Sequence, residues 1–468
     1  MDIYFFNTLS RQVEKFTPLQ PGKVGFYACG PTVYSSAHIG NLRTYVFEDI
    51  VRRTLQAANY EVQHVMNVTD VGHLESDADD GDDKMSLAAQ REQKSPWEIA
   101  KAYEKRFFAD CEALHLLPPN VICRATEHIE LMQQFIEGLQ QKGLTYEVDG
   151  NVYYSTSQFE QYGKLWGGGR NQDCQQARVE SDPRKQNPCD FVLWFSQSKF
   201  PHQIMKWPSP WGEGFPGWHI ECSAMASRYL GERIDIHAGG IDHVSVHHTN
   251  EIAQSEGLFG HKWVNYWLHG EFLVLHKEKM AKSQGNTLTL QTLRDHGFDP
   301  LHYRYLCLTA HYRKQLLFSW EALQGAKNSF EALKNRALSW KFATGTSQTS
   351  AQLLQQYRNT FWQAVAHDLG TPSALACLWD LAKDQTVSKQ DKWTLIQEFD
   401  QILGLGVASF TRPQLEPHLQ KLIDERQHLR QNKQWQQADQ LRDQLLQQGV
   451  QVQDTPTGSD WYLCYRDE

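Results

Sequence analysis

Two cysteines far apart in the chain, Cys29 in Tyr27-Ala28-Cys29-Gly30 and Cys222 in Trp218-His219-Ile220-Glu221-Cys222, are followed by His247 and Glu251. Two soft thiolates, an imidazole and a carboxylate form a tetrahedral donor set suited to a borderline metal, zinc in particular. His247 and Glu251 stand four residues apart, which puts them on the same face of a helix. A lone cysteine is most often a small buried hydrophobe, so the weight rests on the set and not on either thiol alone. His248 has the weaker claim, because it sits beside His247 on a different helical azimuth. Cys189, Cys307 and Cys464 have no such set around them and read as structural.

Two further segments carry nucleotide chemistry. His38-Ile39-Gly40-Asn41 falls where a strand turns into a helix, so a phosphate can approach the backbone at Gly40 and the helix N-terminus favours its charge. The imidazole and the Asn41 amide can both donate to phosphate oxygens. Lys279-Met280-Ala281-Lys282-Ser283 lies in a turn that continues as Gln284-Gly285-Asn286. Two ammonium groups on a mobile loop can neutralise pyrophosphate charge as it develops during adenylyl transfer. Either segment alone carries little information; their joint occurrence carries much more.

The elements that must hold these residues follow from periodicity. Val24 to Cys29 reads as a strand, Arg43 to Asn59 as a helix through Val46, Ile50, Val51 and Leu55, and Tyr60 to Met66 as a second strand. A β-α-β opening favours a parallel α/β sheet with its site at the C-terminal ends of the strands. Asp77 to Asp83 is an acidic loop whose simplest reading is a solvated spacer. Ser95 to Lys142 reads as helical and Asn151 to Tyr154 as a strand, an insertion before the sheet resumes at Asp190–Trp194, Ile234–His237 and Glu271–Leu275. Both halves are expected to share one sheet. Beyond Phe318 the chain is mainly helical, and the tail reads as two helices, His418–Arg430 and Trp435–Gln448, followed by a hairpin from Val450–Gln453 and Trp461–Tyr465.

Composition sets the outer bounds. A chain of 468 residues, 40% hydrophobic and 22% charged, is ordinary for a globular protein of several domains. With no apolar run long enough for a membrane span and no signal-peptide layout at Met1–Asn7, a soluble cytoplasmic protein is expected. Nine cysteines scattered over the chain suit reduced thiols. A net charge of −9 argues against a nucleic-acid binder that uses its whole surface, and it leaves room for a local basic face.

Taken together, Tyr27 to Tyr34, His38-Ile39-Gly40-Asn41, Asn67-Val68-Thr69-Asp70, Trp207 to Gly212 and Gly217 to Met225 resemble the bacterial cysteinyl-tRNA synthetases of class I. The resemblance continues through Asp235-Ile236-His237, Gly239 to Asp242, His247 to Glu251 and the lysine segment, and so runs end to end. It implies a Rossmann-like parallel-sheet catalytic domain with an insertion, a helical-bundle domain and a small mixed anticodon-binding module. The corresponding spans are 1–318, with a connective insertion over about 112–200 and a junction over about 285–318, then 319–408 and 409–468.

The same resemblance implies activation of L-cysteine by Mg-ATP and transfer to tRNA(Cys) by a monomer without membrane attachment. One zinc would be held by Cys29, Cys222, His247 and Glu251. Catalysis would fall to His38, Asn41, Lys279 and Lys282, with Gly40 and Ser283 also at ATP. Thr69, Trp218 and Asp242 would line the amino-acid pocket, with His237 beside them. Arg430, Trp435 and Asp439 would meet the anticodon, although Trp435 can equally staple the start of its own helix. Asn41, Ala281, Thr249 and Phe195 depart from the common family pattern. Two other functions remain open at this point: a ligase that passes cysteine to a small amine, and a catalytically silent tRNA-binding relative.

Overall fold

The computed structural model describes residues 2–72, 84–167, 183–196, 204–275, 288–343, 349–411, 414–455 and 458–463. Two compact units make up the chain, Met1–Ser319 with Ala364–Pro372, and Trp320–Gln363 with Ser373–Glu468. The acidic loop and the lysine segment with Lys279, Lys282 and Ser283 fall outside the described residues.

The first unit opens with a hairpin, β1 (Tyr4–Asn7) and β2 (Gln12–Lys15), then β3 (Lys23–Ala28), α1 (Ile39–Ala57) and β4 (Glu61–Val68). There follow α2 (Lys84–Glu92), α3 (Pro96–Ala113), β5 (Val121–Arg124) and α4 (Ile129–Gln141). Next come β6 (Thr145–Val148), β7 (Asn151–Tyr154), β8 (Phe191–Phe195), β9 (Phe215–Pro216), α5 (Trp218–Leu230), β10 (Ile234–Gly240), α6 (His247–Phe259) and β11 (Val264–Gly270). A short parallel pair, β12 (Leu273–Leu275) and β13 (Leu316–Phe318), lies on either side of the lysine segment in sequence.

Five strands form a parallel sheet in the order β11-β10-β3-β4-β5. The chain runs outward from β3 through β4 to β5 and then returns to the other side of β3 for β10 and β11. The order therefore reverses between β3 and β10, and ligands of open α/β sheets settle beyond the strand C-termini at such a crevice. Register places His237 beside Tyr27 and Ala238 beside Ala28, so Cys29 and Gly30 emerge next to Gly239 and Gly240. The central strands are almost continuously buried, as expected where helices cover both faces.

Four sequence expectations change. Asp190–Trp194 does not resume the parallel sheet: β8 pairs antiparallel with β7 and β9 in a separate sheet, β6-β7-β8-β9. Its run Phe-Val-Leu-Trp-Phe is buried throughout, and an alternation-free strand carries no mark of which sheet it will join. The final strand of the parallel sheet is Val264–Gly270 and not Glu271–Leu275, and β5 interrupts what reads as one helical stretch. Cys189 is disulfide-bonded, against the expectation of reduced thiols throughout, whereas Cys29, Cys111, Cys123, Cys222, Cys307 and Cys377 are free.

Among its described residues the second unit begins with the helices Trp320–Lys341, Ala351–Ala366, Thr371–Lys383 and Lys389–Leu403, of which the second and third extend into residues of the first unit. Its tail is the expected helix pair, Pro417–Gln431 and Trp435–Gln447, with an antiparallel hairpin Val450–Thr455 and Gly458–Leu463. Leu419, Ile423, Leu445, Val450 and Val452 form its core. Arg426 is fully buried beneath the hairpin and donates to Asp454 (2.8 Å) and Ser459 (3.0 Å). Among the described residues no helix is long and apolar enough to cross a membrane.

Candidate active site and metal centre

At the crevice between β3 and β10 lies a cavity of about 490 Å³ lined by His38, Asn41, Cys29, Cys222, His247 and Asp242 among others. The nucleotide-type turn and three of the four expected metal donors thus face one space. Glycine makes the crossing possible: a Cβ on Gly30 would lie 1.7 Å from the Asn67 carbonyl oxygen. At the end of β10 a Cβ on Gly240 would lie 2.3 Å from Asp242 Oδ1, so its absence leaves the carboxylate room.

His38 is the N-cap of α1. The Asn41 N–H donates to His38 Nδ1 (3.1 Å), and the His38 N–H donates to Asn41 Oδ1 (3.3 Å). This reciprocal cap satisfies two backbone donors and orients both side chains. With Nδ1 accepting, the neutral ring carries its proton on Nε2, and Asn41 keeps its NH₂ for another acceptor. Described residues on both sides of the lysine segment in sequence, Leu273 and Leu288, reach this turn. The Ile39 N–H donates to Leu288 O (2.8 Å), and an added Cβ at Gly40 would touch Leu273 Cβ at 3.8 Å. Arg43, four residues further along α1, is buried and donates to the carbonyls of Glu271, Phe272 and Lys314, which fastens the chain on both sides of that segment. Sequence reading missed Arg43; a basic residue on the apolar side of an amphipathic helix was the available signal.

Beside the turn, Cys29, Cys222, His247 and Glu251 are all buried, and their ligand atoms lie within 4.8 Å of one another. An ion with bonds of about 2.0–2.3 Å spaces tetrahedral ligands about 3.3–3.8 Å apart, so modest closure would suffice. Among the described residues Glu251 Oε1 has no hydrogen bond, although His247 Nε2 faces it at 3.0 Å. Burial alone pushes the Glu251 acid well up, and burial is also the largest cause raising the Cys29 thiol. A fully buried carboxyl oxygen that makes no hydrogen bond among the described residues, next to two sulfurs and an imidazole, fits a bound cation.

A second set, Cys29, His237, His248 and Glu251, satisfies the same distance criterion. His248 therefore stands closer to the donors than its azimuth suggested: its Nε2 lies 3.3 Å from Cys29 Sγ. The two sets differ in access, since Cys222 and His247 line the cavity whereas His237 and His248 do not. Around the donors runs a shell of rings absent from the sequence reading. His219 Nδ1 lies 2.9 Å from His247 Nδ1, and His248 Nδ1 lies 2.8 Å from His269 Nε2, which in turn faces Thr8 Oγ1 through Nδ1 at 2.7 Å. Contacts of this kind orient ligand rings. Burial holds His237 down at about 3 and pushes His269 well below the usual imidazole range, so both are neutral.

The other expected residues are placed as follows. Trp218 lines the cavity and stacks on His247 at 4.1 Å. Thr69 sits behind Asn67: its hydroxyl donates to Glu221 Oε2 (2.7 Å) and accepts from Asn67 Nδ2 (3.2 Å). His237 is fully buried and contacts Glu251 Oε2 through Nε2 at 2.9 Å. In the tail, Arg430 is ion-paired with Asp454 and lies over the Trp435 ring at 5.6 Å, while Asp439 pairs with Arg442 at 3.0 Å. Trp435 is 54% exposed and outside the module's core, and Arg430 of the preceding helix covers one face of its ring, so a stapling contact and an exposed ring occur together.

The architecture is that of the class I aminoacyl-tRNA synthetases. It is similar to a solved structure of Mycobacterium tuberculosis methionyl-tRNA synthetase in complex with methionyl-adenylate, with a TM-score of 0.54 at 15% identity over 82% of this chain and 88% of that one. Within that class, residues 15–328 match the family described as the class I (C) tRNA synthetase catalytic domain, and residues 412–461 match the cysteinyl-tRNA ligase anticodon binding domain. The chain is 45% identical to the cysteine–tRNA ligase of Treponema denticola over 98% of its length and 99% of that protein. It is 46% identical to cysteine–tRNA ligase 1 of Burkholderia lata, covering 98% and 96% respectively. The chain belongs to the cysteine–tRNA ligase family.

Proposed function

We propose that the chain activates L-cysteine with Mg-ATP and transfers it to the 3′ end of tRNA(Cys). The observation that carries the reading is the single cavity lined both by the His38–Asn41 turn and by Cys29, Cys222 and His247. In activation, a cysteine carboxylate oxygen attacks the α-phosphorus and the bond to pyrophosphate breaks. His38 Nε2–H and the Asn41 NH₂, oriented by their mutual cap, donate to phosphate oxygens, and Lys279, Lys282 and Ser283 meet the departing pyrophosphate.

Cys29, Cys222, His247 and Glu251 would hold one zinc. When bound there, zinc supplies a soft Lewis acid that prefers a thiolate to a hydroxyl. A purely apolar pocket separates near-isosteres by only about 1–3 kcal/mol, so a donor set that selects sulfur accounts for rejecting serine. Asp242 faces the cavity as partner for the substrate ammonium, and Trp218 closes one wall. Thr69 supports the amino-acid pocket from behind Asn67, which lines the cavity: its hydroxyl donates to Glu221 Oε2 and accepts from Asn67 Nδ2. His237 steadies Glu251 from behind. At the tail, Trp435 stacks on an anticodon base while Arg430 and Asp439 offer hydrogen bonds of opposite sign. A surface of this kind favours tRNA over a small amine as acceptor.

Aminoacylation of purified tRNA with labelled cysteine and labelled serine tests the proposal, with ATP–pyrophosphate exchange run in parallel. Cysteine-dependent exchange with charging of tRNA(Cys) is expected. Exchange without charging would transfer the reading to a small acceptor, and absence of exchange would overturn it.

A further inference from the structure

The two cysteine donors come from different parts of the fold, Cys29 from the residue after β3 and Cys222 from α5, and a bridge of hydrogen bonds joins their neighbours in sequence. The Gly30 N–H donates to Asn67 Oδ1 (2.8 Å), Asn67 Nδ2 donates to the Thr69 hydroxyl (3.2 Å), and that hydroxyl donates to Glu221 Oε2 (2.7 Å). Gly30 follows Cys29 and Glu221 precedes Cys222, so the bridge crosses from the segment of one thiol to the segment of the other. Asn67, Thr69 and Glu221 are all buried.

Every link donates in the same direction. A backbone N–H can only donate, so Asn67 turns its oxygen toward Gly30 and its NH₂ toward Thr69, and the Thr69 proton is left for Glu221. Hydrogen bonds of one sense polarise one another, and this series ends on a carboxyl. Its near end is rigid. The Thr69 N–H donates to Pro31 O (3.0 Å), and the Val33 N–H donates to Thr69 O (3.2 Å). The Thr69 hydroxyl is therefore where the segment after Cys29 takes hold of α5. Glu221 neither lines the reaction cavity nor belongs to either set of metal donors, and a buried carboxyl is costly to keep. Successive residues of a helix point about 100° apart, so Thr69 can hold the carboxyl while the Cys222 thiol faces Cys29.

We propose that Glu221, acting through Thr69 and Asn67, is a positioning residue that holds the Cys222 thiolate at the distance from Cys29 at which both bind one metal ion. The inference rests on the zinc reading of the proposed function. The donor atoms lie within 4.8 Å of one another, wider than bound ligands, so the placement of α5 against the end of β3 decides how much closure binding must supply. With the bridge intact that closure is short, and without it the two thiolates are no longer held in one geometry.

Zinc affinity by chelator competition and the cobalt–thiolate band, both measured on the full-length protein, test this. Thr69→Val keeps the shape and removes the hydroxyl, whereas Thr69→Ser keeps the hydroxyl and removes a methyl group. A role in packing alone makes the serine variant the worse of the two; the bridge makes it the valine variant. Thr69→Val is expected to raise the zinc dissociation constant at least about tenfold and to shift the cobalt–thiolate band, with Thr69→Ser within about threefold of the parent. Glu221→Leu should match Thr69→Val, while Glu221→Gln, whose amide oxygen still accepts, should recover to within about fivefold of the parent. The double variant of Thr69→Val and Glu221→Leu should lose no more than about twofold beyond the worse single one, because either change breaks the same bridge. The Glu221 pair decides the matter if Thr69→Val does not fold. Serine worse than valine, unchanged affinity in both Thr69→Val and Glu221→Leu, or a double variant that multiplies the single losses would each overturn the bridge alone. A parent without zinc, or Cys222→Ala with the parent's cobalt spectrum, would overturn the donor assignment and this proposal with it.

Discussion

Replacing Cys222 by alanine separates the two donor sets that the geometry allows. Cys222 is 1% exposed, so its packing loss is that of one buried sulfur, about 1 kcal/mol. Four-ligand zinc sites are worth about 10–16 kcal/mol, so one ligand of four is worth about 3 kcal/mol, or a dissociation constant raised about a hundredfold. The metal effect thus exceeds the packing effect, and the metal-free variant should melt close to the metal-free parent. Among the four proposed donors His248 Nε2 comes nearest to the Cys29 sulfur, at 3.3 Å, with Glu251 Oε1 at 3.8 Å, so His248→Ala should cost nearer tenfold, as loss of an orienting contact does. Zinc content after dialysis against chelators of graded strength gives the ranking, and cobalt substitution gives a second readout. The cobalt–thiolate band of the parent should lose about half its intensity in Cys222→Ala, because one of two thiolates is gone. If His248→Ala releases the metal while Cys222→Ala keeps a full zinc per chain, the donors are Cys29, His237, His248 and Glu251, and the assignment built on access from the cavity is wrong.

Lys282→Ala should slow ATP–pyrophosphate exchange at least about a hundredfold while leaving zinc content unchanged, since its ammonium acts where pyrophosphate charge develops; an unchanged rate would remove that role. Trp435→Ala should raise the Michaelis constant for tRNA by an amount equivalent to about 1–3 kcal/mol and spare exchange, with thermal melting to check the fold. A steady-state comparison showing no change in tRNA charging would return Trp435 to a structural role. Glu48 also predicts a pH dependence. Its folded-state pKa is raised by burial, so its contribution to stability is full below the unfolded value of about 4 and is lost as pH climbs toward the raised value. Glu48→Gln removes that loss, and its melting temperature relative to the parent should therefore improve as pH rises above about 5; a difference that is flat with pH would contradict a buried carboxyl that has no hydrogen bond among the described residues.

Much of this protein was legible in the order of its residues. Local periodicity located α1 and the tail helices, because amphipathic spacing reports which face of a helix is buried, and residue type, the four-residue spacing of His247 and Glu251 and the family resemblance together pointed to Cys29, Cys222, His247 and Glu251 as a donor set. Tertiary structure decided what spacing cannot express. Cys29 and Cys222 come together because strand order reverses between β3 and β10, and strand order is a non-local choice. The apolar run of β8 went to the antiparallel sheet for the same reason: each strand is buried on both faces, so its partners are set by chain topology and not by its own pattern. His219 and His269 became supports of the metal donors only when α5 and β11 packed beside α6, and the unanswered carboxyl of Glu48 is visible only once every neighbour that might have bonded it has been placed elsewhere. Residue types state which chemistry is possible; which groups share a dry space, and which are left without a partner there, depends on packing among segments that sequence order keeps far apart.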